Sequence, residues 1–282
     1  MTRGYQPKQL LSLRDPKLLQ ATMPWLELLY QCYFRVTSSG WENIPLSGSF
    51  LIVASHNGGL PAPDMYMLLY DWLRRFGAER PAYGLKHREL LKSRERLIRA
   101  ARFGIVPAEP KVAMAALRQG APVLVYPGGV EEVFRPYSQR HRIHLAGRTG
   151  FIKLVLREEV PIVPVISTGA HETLIVLSDC QAIIRQLEQW RLLSWNWPFG
   201  KIFPIYLGLP WGLAIGPVPN IPLPVQIHLH VCPPIRFERY GREAARDRHY
   251  VKACYEQVHN QMQTALNRLI MKRRGLLDCS PQ

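Results

Sequence analysis

Three short runs constrain this 282-residue chain more than anything else in it: FLIVA at 50–54, PVLVY at 122–126 and PIVPVI at 161–166. Each is apolar at consecutive positions, which is the pattern of a strand covered on both faces. Helical periodicity fills the intervals, over 64–77, 88–102, 110–118 and 148–158. Strands alternating with helices predict an α/β fold, a central mixed, largely parallel sheet flanked by helices. A fourth run, VQIHLHV at 225–231, alternates and predicts a half-buried strand, and 241–274 reads as a long charged helix. No repeat and no linker interrupts the chain. The expected division is an N-terminal amphipathic helical segment over 1–40 and a single domain over 41–282.

Two segments leave alternatives open. Residues 16–36 read as one or two amphipathic helices around Pro24, and Trp25, Tyr30 and Tyr33 suit either a membrane interface or a helix packed on a core. From Ile202 to Ile235 there is no Asp, Glu, Lys or Arg, but eight prolines interrupt the stretch. Proline breaks helices, so a plain transmembrane helix is excluded there. What remains is a set of Pro-rich loops and short strands, or an apolar surface that dips into a bilayer or lines a lipid tunnel. The N-terminus lacks the apolar core of a signal peptide.

The formal charge of +15 calls for an anionic partner: nucleic acid, an anionic membrane surface or acidic substrates. No nucleic-acid-binding module is recognisable, which disfavours the first. Basic residues concentrate in 86–102, where Arg88, Lys92, Arg96 and Arg99 fall on one helical face, and between Val133 and Arg157, where six cations meet no acid. The five cysteines are scattered and form no CxxC, so neither a zinc ribbon nor a disulfide framework is indicated. His228 and His230, and His141 and His144, lack companion ligands at metal-binding spacing, so no metal is expected.

The candidate chemistry sits where the first buried run ends, in ASHNGGLPAPDM at 54–65. Ligands of α/β sheets bind at the carboxyl ends of strands, and His56 stands there. Gly58 and Gly59 allow a tight turn, Pro61 and Pro63 stiffen it, and Asp64 suits the start of the next helix as an N-cap. A buried imidazole needs a polar partner. Asp64 could supply it, leaving the other ring nitrogen as a general base. No G-x-S-x-G motif is present and no cysteine is near, so the nucleophile would be a hydroxyl of the substrate, as in direct acyl transfer. A second block, VLVYPGGVEEVFRP at 123–136, places Gly128 and Gly129 after a strand, where backbone amides can face an oxyanion. A third, 147–173, runs from Arg148-Thr149-Gly150-Phe151 through VPIVPVIS to GAHET.

In this order the three blocks resemble the lysophospholipid/glycerolipid acyltransferase superfamily, and within it the diacylglycerol acyltransferase-like branch. The resemblance covers roughly residues 45–235. Pro127-Gly128-Gly129-Val130-Glu131-Glu132 matches the branch's P-G-G-V-x-E, and Arg148 to Phe151 its R-x-G-F. Two departures stand out: His56 and Asp64 are spaced H-x7-D rather than H-x4-D, and the E-G-T-R block of lysophosphatidate acyltransferases is replaced by P-G-G-V-E-E.

The resemblance implies a membrane-associated O-acyltransferase with His56 as base and Asp64 orienting it. Asn57, Gly58, Gly59, Gly128 and Gly129 would contact the reacting groups, Glu132 would position the acceptor, and Arg135 and Arg148 would bind substrate. It implies no bound cofactor, an acyl-CoA or acyl carrier protein thioester as co-substrate, and a lipid acceptor, with diacylglycerol favoured by the missing E-G-T-R block. A lysophosphatidate, a prenol or a quinol is the alternative acceptor, and a basic peripheral membrane-binding protein the non-enzyme alternative. The expected location is the cytoplasmic side of a membrane, peripheral or monotopic, on an anionic surface.

Overall fold

The computed structural model describes residues 5–190, 202–273 and 275. The helices are α1 (Pro7–Leu11), α2 (Pro16–Leu28), α3 (Pro63–Phe76), α4 (Arg94–Arg102), α5 (Pro110–Arg118), α6 (Gly129–Val133), α7 (Gly150–Glu158), α8 (Gln181–Gln189), α9 (Gly241–Arg246) and α10 (Arg248–Arg273). The strands are β1 (Thr37–Ser39), β2 (Leu51–Ala54), β3 (Tyr83–Lys86), β4 (Ile105–Pro107), β5 (Val123–Val125), β6 (Ile162–Thr168), β7 (Ile175–Ser178), β8 (Ile205–Gly208), β9 (Gly212–Ile215) and β10 (His228–Val231).

Seven strands form the main sheet in the order β1-β10-β6-β2-β5-β3-β4. Strands β6, β2, β5, β3 and β4 run parallel. Strand β10 pairs antiparallel with β6 and carries β1 parallel to itself at the edge. The sheet is therefore mixed and largely parallel, flanked by helices. The consecutive apolar runs follow from this position. Leu51 and Val53 of β2 pack under α1, α5, α7 and α10, while Ile52 and Ala54 pack under α2 and α3. With both faces covered, every residue of β2 and β6 is buried or nearly so, and polar alternation has no role there. Strand β10, at the margin, alternates instead: Leu229 and Val231 point inward and His228 and His230 are half-buried. Their Nδ1 atoms meet Thr37 Oγ1 at 2.6 Å and Ser39 Oγ at 2.9 Å across the β1 pairing.

The helix expected over 88–102 is broken. A 3₁₀ turn takes Arg88–Leu91, and α4 starts afresh at Arg94 because the Ser93 hydroxyl caps it, accepting from the Arg96 amide. Arg88 and Lys92 therefore do not share a helical face with Arg96 and Arg99. Helix α2 runs through Pro24 without ending and gives way to a π-helical turn at Leu29–Tyr33. Of its neighbouring aromatics, Trp25 is exposed and Tyr30 is buried in the core with its hydroxyl on Asp71 Oδ2 at 2.9 Å. Tyr33 donates to the Pro222 carbonyl at 2.6 Å. Residues 37–39 contribute β1 to the main sheet, so the segment before residue 41 shares that sheet and its core.

Among the described residues, no helix is long and apolar enough to cross a membrane. Cys32, Cys180, Cys232 and Cys254 are free thiols, and Cys279 lies outside the described residues.

Candidate active site

Strand β2 ends at Ala54 and releases the chain into a loop at the carboxyl edge of the parallel strands. His56 lies in this loop, its side chain 18% exposed and therefore reachable by a substrate. Gly58 and Gly59 both take positive φ, +84° and +70°. A Cβ on Gly58 would stand 2.6 Å from Pro63 Cδ and 2.8 Å from the Ala170 carbonyl oxygen, so conformation and space both require glycine. The turn brings Asp64 back to within 3.7 Å of His56, Oδ1 to Nδ1. That is ion-pair distance rather than a hydrogen bond. Asp64 is not the N-cap. Ala62 holds that position in a left-handed conformation, and Asp64 lies in the first turn of α3, where Oδ1 accepts from the Met65 amide at 2.9 Å. An acid there is also favoured by the helix dipole.

Asn57 is buried and ties four parts of the fold together. Its Nδ2 donates to Asp64 Oδ2 at 3.1 Å and to Ser167 Oγ, at the end of β6, at 2.9 Å, with Ser55 Oγ at 3.4 Å. Its Oδ1 accepts from Arg135 Nη2 at 2.6 Å. Arg135 is only 3% exposed. It donates through Nε to the Gln139 carbonyl, through Nη1 to the carbonyls of His56 and Glu132, and through Nη2 to Asn57 and the Arg140 carbonyl. A guanidinium has five N–H donors, and each has an acceptor here. Arg135 thus fastens the histidine loop from behind and has no donor left for a ligand.

The second block closes the other side. Gly128 and Gly129 lead into α6, and the Gly129 amide is used by the turn, donating to the Tyr126 carbonyl. A Cβ on Gly128 would lie 2.0 Å from the His144 carbonyl oxygen and 2.3 Å from Glu132 Oε2. Arg148 clamps this turn, reaching the Pro127 and Gly128 carbonyls at 2.6 and 2.9 Å and Glu131 Oε1 at 2.7 Å. Glu132 is fully buried. Burial pushes its carboxyl up to about 8, against the pull of Arg135 and the nearby amides of His56 and His144, with Asp64 adding to the rise. Neither of its carboxyl oxygens makes a well-formed hydrogen bond.

The structure therefore brings His56, Asn57, Gly58, Gly59, Asp64, Glu132 and Arg135 together at one loop cluster. Arg148 and Gly129 stand behind it as parts of the second turn.

Two side chains join the site that the sequence reading did not single out. The Tyr126 ring lies 4.4 Å from the His56 ring, centroid to centroid, at 31°. Its hydroxyl is buried without a hydrogen-bond partner, and burial beside Asp64 and Glu132 raises it well above the ordinary phenol range. It is a neutral donor beside the imidazole. His171 is buried against the backbone of Arg135 and Pro136, and burial together with the Arg135 charge drives it well below the ordinary imidazole range. Both residues lie inside the blocks that carry the resemblance, Tyr126 directly before Pro127 and His171 in GAHET. Nothing in local spacing distinguishes them from core residues. Among the described residues, no group of three or more His, Cys, Asp or Glu could hold a metal.

The arrangement can abstract a proton. A half-sheltered imidazole faces solvent on one side and a buried carboxylate on the other, at a strand end where a ligand fits.

The family model described as diacylglycerol acyltransferase matches residues 100–274, more than half of the chain. Relatives include the uncharacterised protein Rv0502 of Mycobacterium tuberculosis, 29% identical over 93% of this chain and 69% of its own length. The uncharacterised protein ML2427 of Mycobacterium leprae is 28% identical over 93% of this chain and 68% of its own. Among solved structures, the 1-acyl-sn-glycerophosphate acyltransferase PlsC of Thermotoga maritima is similar with a TM-score of 0.48 and 16% identity, covering 93% of this chain and 80% of that one.

Proposed function

Because the chain belongs to the diacylglycerol acyltransferase family, and so is a lipid acyltransferase, we propose that it moves a fatty acyl group from a thioester of coenzyme A or acyl carrier protein to the hydroxyl of diacylglycerol. The reaction would take place at the cytoplasmic surface of a membrane.

In this reading Asp64 holds the imidazole through Nδ1, and Nε2 of His56 takes the proton of the acceptor hydroxyl. The hydroxyl oxygen attacks the thioester carbonyl, forming the new C–O bond. The tetrahedral oxyanion then collapses, the C–S bond breaks, and the departing thiolate takes the proton from His56. The 3.7 Å separation of His56 and Asp64 is compatible with this, since catalytic hydrogen bonds are often long without substrate. Glu132, buried and with its carboxyl pushed up to about 8, is mostly protonated at pH 7 and adds little negative charge behind the His56 loop. The Tyr126 hydroxyl, buried without a hydrogen-bond partner, would donate to the oxyanion in this reading.

The observation that carries the choice of acceptor is Arg135. It is the cation that follows the P-G-G-V-E-E block, and all five of its donors are spent inside the protein. An acceptor phosphate would find no free guanidinium there, which favours a neutral lipid alcohol.

The test is acyl transfer by purified protein from a labelled thioester to diacylglycerol, lysophosphatidate, a prenol and a quinol, with His56→Ala alongside. Triacylglycerol from the wild type, reduced about 10²–10⁴-fold in the variant, is the expected result. Product only with lysophosphatidate would overturn the acceptor. No product with any acceptor, from folded protein, would overturn the reading.

A further inference from the structure

Strands β7, β8 and β9 form a second, antiparallel sheet whose faces are chemically unlike. The register sets Val176, Tyr206 and Ala214 in one row, and all three are buried against Phe134, Leu174 and Ile202. The opposite face carries Leu207 beside Leu213 and Ile205 beside Ile215. Leu213 is 61% exposed and Ile215 59%. Trp211, in the turn between β8 and β9, is 57% exposed. Its indole N–H is already satisfied by the Pro219 carbonyl at 2.7 Å, so the ring is free to lie against apolar matter. A contiguous apolar surface of this kind is uncommon on a soluble protein unless something covers it.

The charges around the sheet favour one occupant. From Ile202 to Ile235 the chain has no Asp, Glu, Lys or Arg, so no carboxylate in this stretch repels an anionic lipid surface. Nearby acids are engaged. Glu172 is held by both terminal nitrogens of Arg273, and Asp179 accepts from the Gln181 amide at the start of α8. The turn Tyr137–Gln139 packs on β7, and Arg140 follows it with its guanidinium over the Tyr137 ring. An apolar face on a chain of net charge +15 complements an anionic bilayer.

The face is also joined to the histidine loop. Leu174, the residue before β7, would meet a Cβ on Gly59 at 2.6 Å, and the Thr173 hydroxyl would meet one on Gly58 at 2.7 Å. The Leu223 amide returns to the Thr173 carbonyl at 2.9 Å. The wall of the site and the start of the apolar sheet are one continuous segment.

We propose that the outer face of β7–β9, led by Trp211 and Leu213, is the surface by which this protein sits on an anionic lipid bilayer, with the His56 loop at the membrane edge. The proposal rests on the lipid acyltransferase reading and names the face that meets the lipid source. A tryptophan at the rim suits the headgroup region, and leucine and isoleucine suit the acyl boundary.

The experiment uses the full chain, vesicles of phosphatidylcholine with and without phosphatidylglycerol, and the variants Leu213→Glu and Trp211→Ser. Partitioning is read by co-sedimentation. Depth is read by quenching with brominated lipid, comparing wild type with Trp211→Phe. The expected result is a loss of at least about tenfold in partitioning for Leu213→Glu, the scale of one leucine side chain withheld from burial. Thermal melting and transfer to a detergent-dispersed acceptor should be retained. Bromine quenching should be weaker in Trp211→Phe. Unchanged partitioning of both folded variants overturns the proposal. So does a wild-type dimer that Leu213→Glu dissociates without affecting vesicle binding, which would assign the face to a second copy. Failure of the acyltransferase reading shows separately, as wild type that binds vesicles through this face yet acylates nothing in detergent.

Discussion

The guanidinium of Arg135 donates from Nη2 to Asn57 Oδ1 at 2.6 Å, across 78 positions of sequence. The same side chain holds the His56 carbonyl, so one buried cation fixes both the histidine and its neighbour. Lysine cannot reproduce the fork, since its ammonium has three donors in a different geometry. Arg135→Lys should therefore lower stability by about 3 kcal/mol, the loss of one or two charge-assisted hydrogen bonds at a buried site. Chemical denaturation measures this. Transfer activity should fall further than the unfolded fraction explains, because the loop carrying His56 loses its anchor.

Tyr126→Phe removes one oxygen and leaves the ring against His56. The hydroxyl has no partner in the protein, so its loss should leave stability unchanged or slightly raised. If the phenol donates to the oxyanion, kcat should fall about 10²-fold with KM little changed. Steady-state kinetics of the two proteins, with melting curves beside them, decides it. Unchanged kcat would remove Tyr126 from the mechanism.

Glu132 gives the protein a pH signature. Its folded carboxyl titrates at about 8 against an ordinary 4.5. Between these values the folded state keeps a proton that the unfolded state releases, so stability falls as pH rises across that window and levels off above it. Below about 4.5 both states are protonated and the residue contributes no slope. Glu132→Gln, which mimics the protonated form, should flatten the decline between pH 5 and 8, as read from denaturation midpoints. A parallel decline in the variant would assign the slope to other groups.

Gly128 and Gly150 separate space from conformation. Gly128 has an ordinary helical φ of −63°, yet any Cβ would meet the His144 carbonyl oxygen and the Glu132 side chain. Gly128→Ala should cost about 1–3 kcal/mol through overpacking and disturb Glu132. Gly150, the first residue of α7, has open space around it, and Gly150→Ala should be neutral or stabilise by up to about 1 kcal/mol. Thermal denaturation of the pair tests this.

Legibility followed the range of the cause. Helix α5 covers the expected 110–118, and β2, β5 and β6 fall within the three apolar runs or overlap them, because burial on two faces leaves a mark on consecutive residues. Strands β3 and β4 leave no such mark in the sequence, since they are short and mix Gly84, Lys86 and Pro107 with apolar residues. The continuous charge pattern over 88–102 hides the break at Ser93, whose hydroxyl caps α4. At the site, His56, Gly58 and Gly59 are legible from a strand end and a tight turn. The resemblance implies a ligand-binding role for Arg135, and nothing in VFRP reveals that five acceptors within the protein take its donors.

The sequence by itself determined the layered α/β architecture, the placing of a histidine at the carboxyl end of a buried strand, and, over residues 100–274, the family of the chain. These depend on local periodicity and on motifs that each occupy a few consecutive residues. Only the tertiary structure decided that Arg135 faces inward, that Tyr126 stands beside His56, and that β7–β9 turns an apolar face outward. Each of these depends on which residues, tens of positions apart, end up sharing a hydrogen bond or a buried surface. That pairing is set by how the sheet and helices close on one another, and a one-dimensional pattern does not carry it.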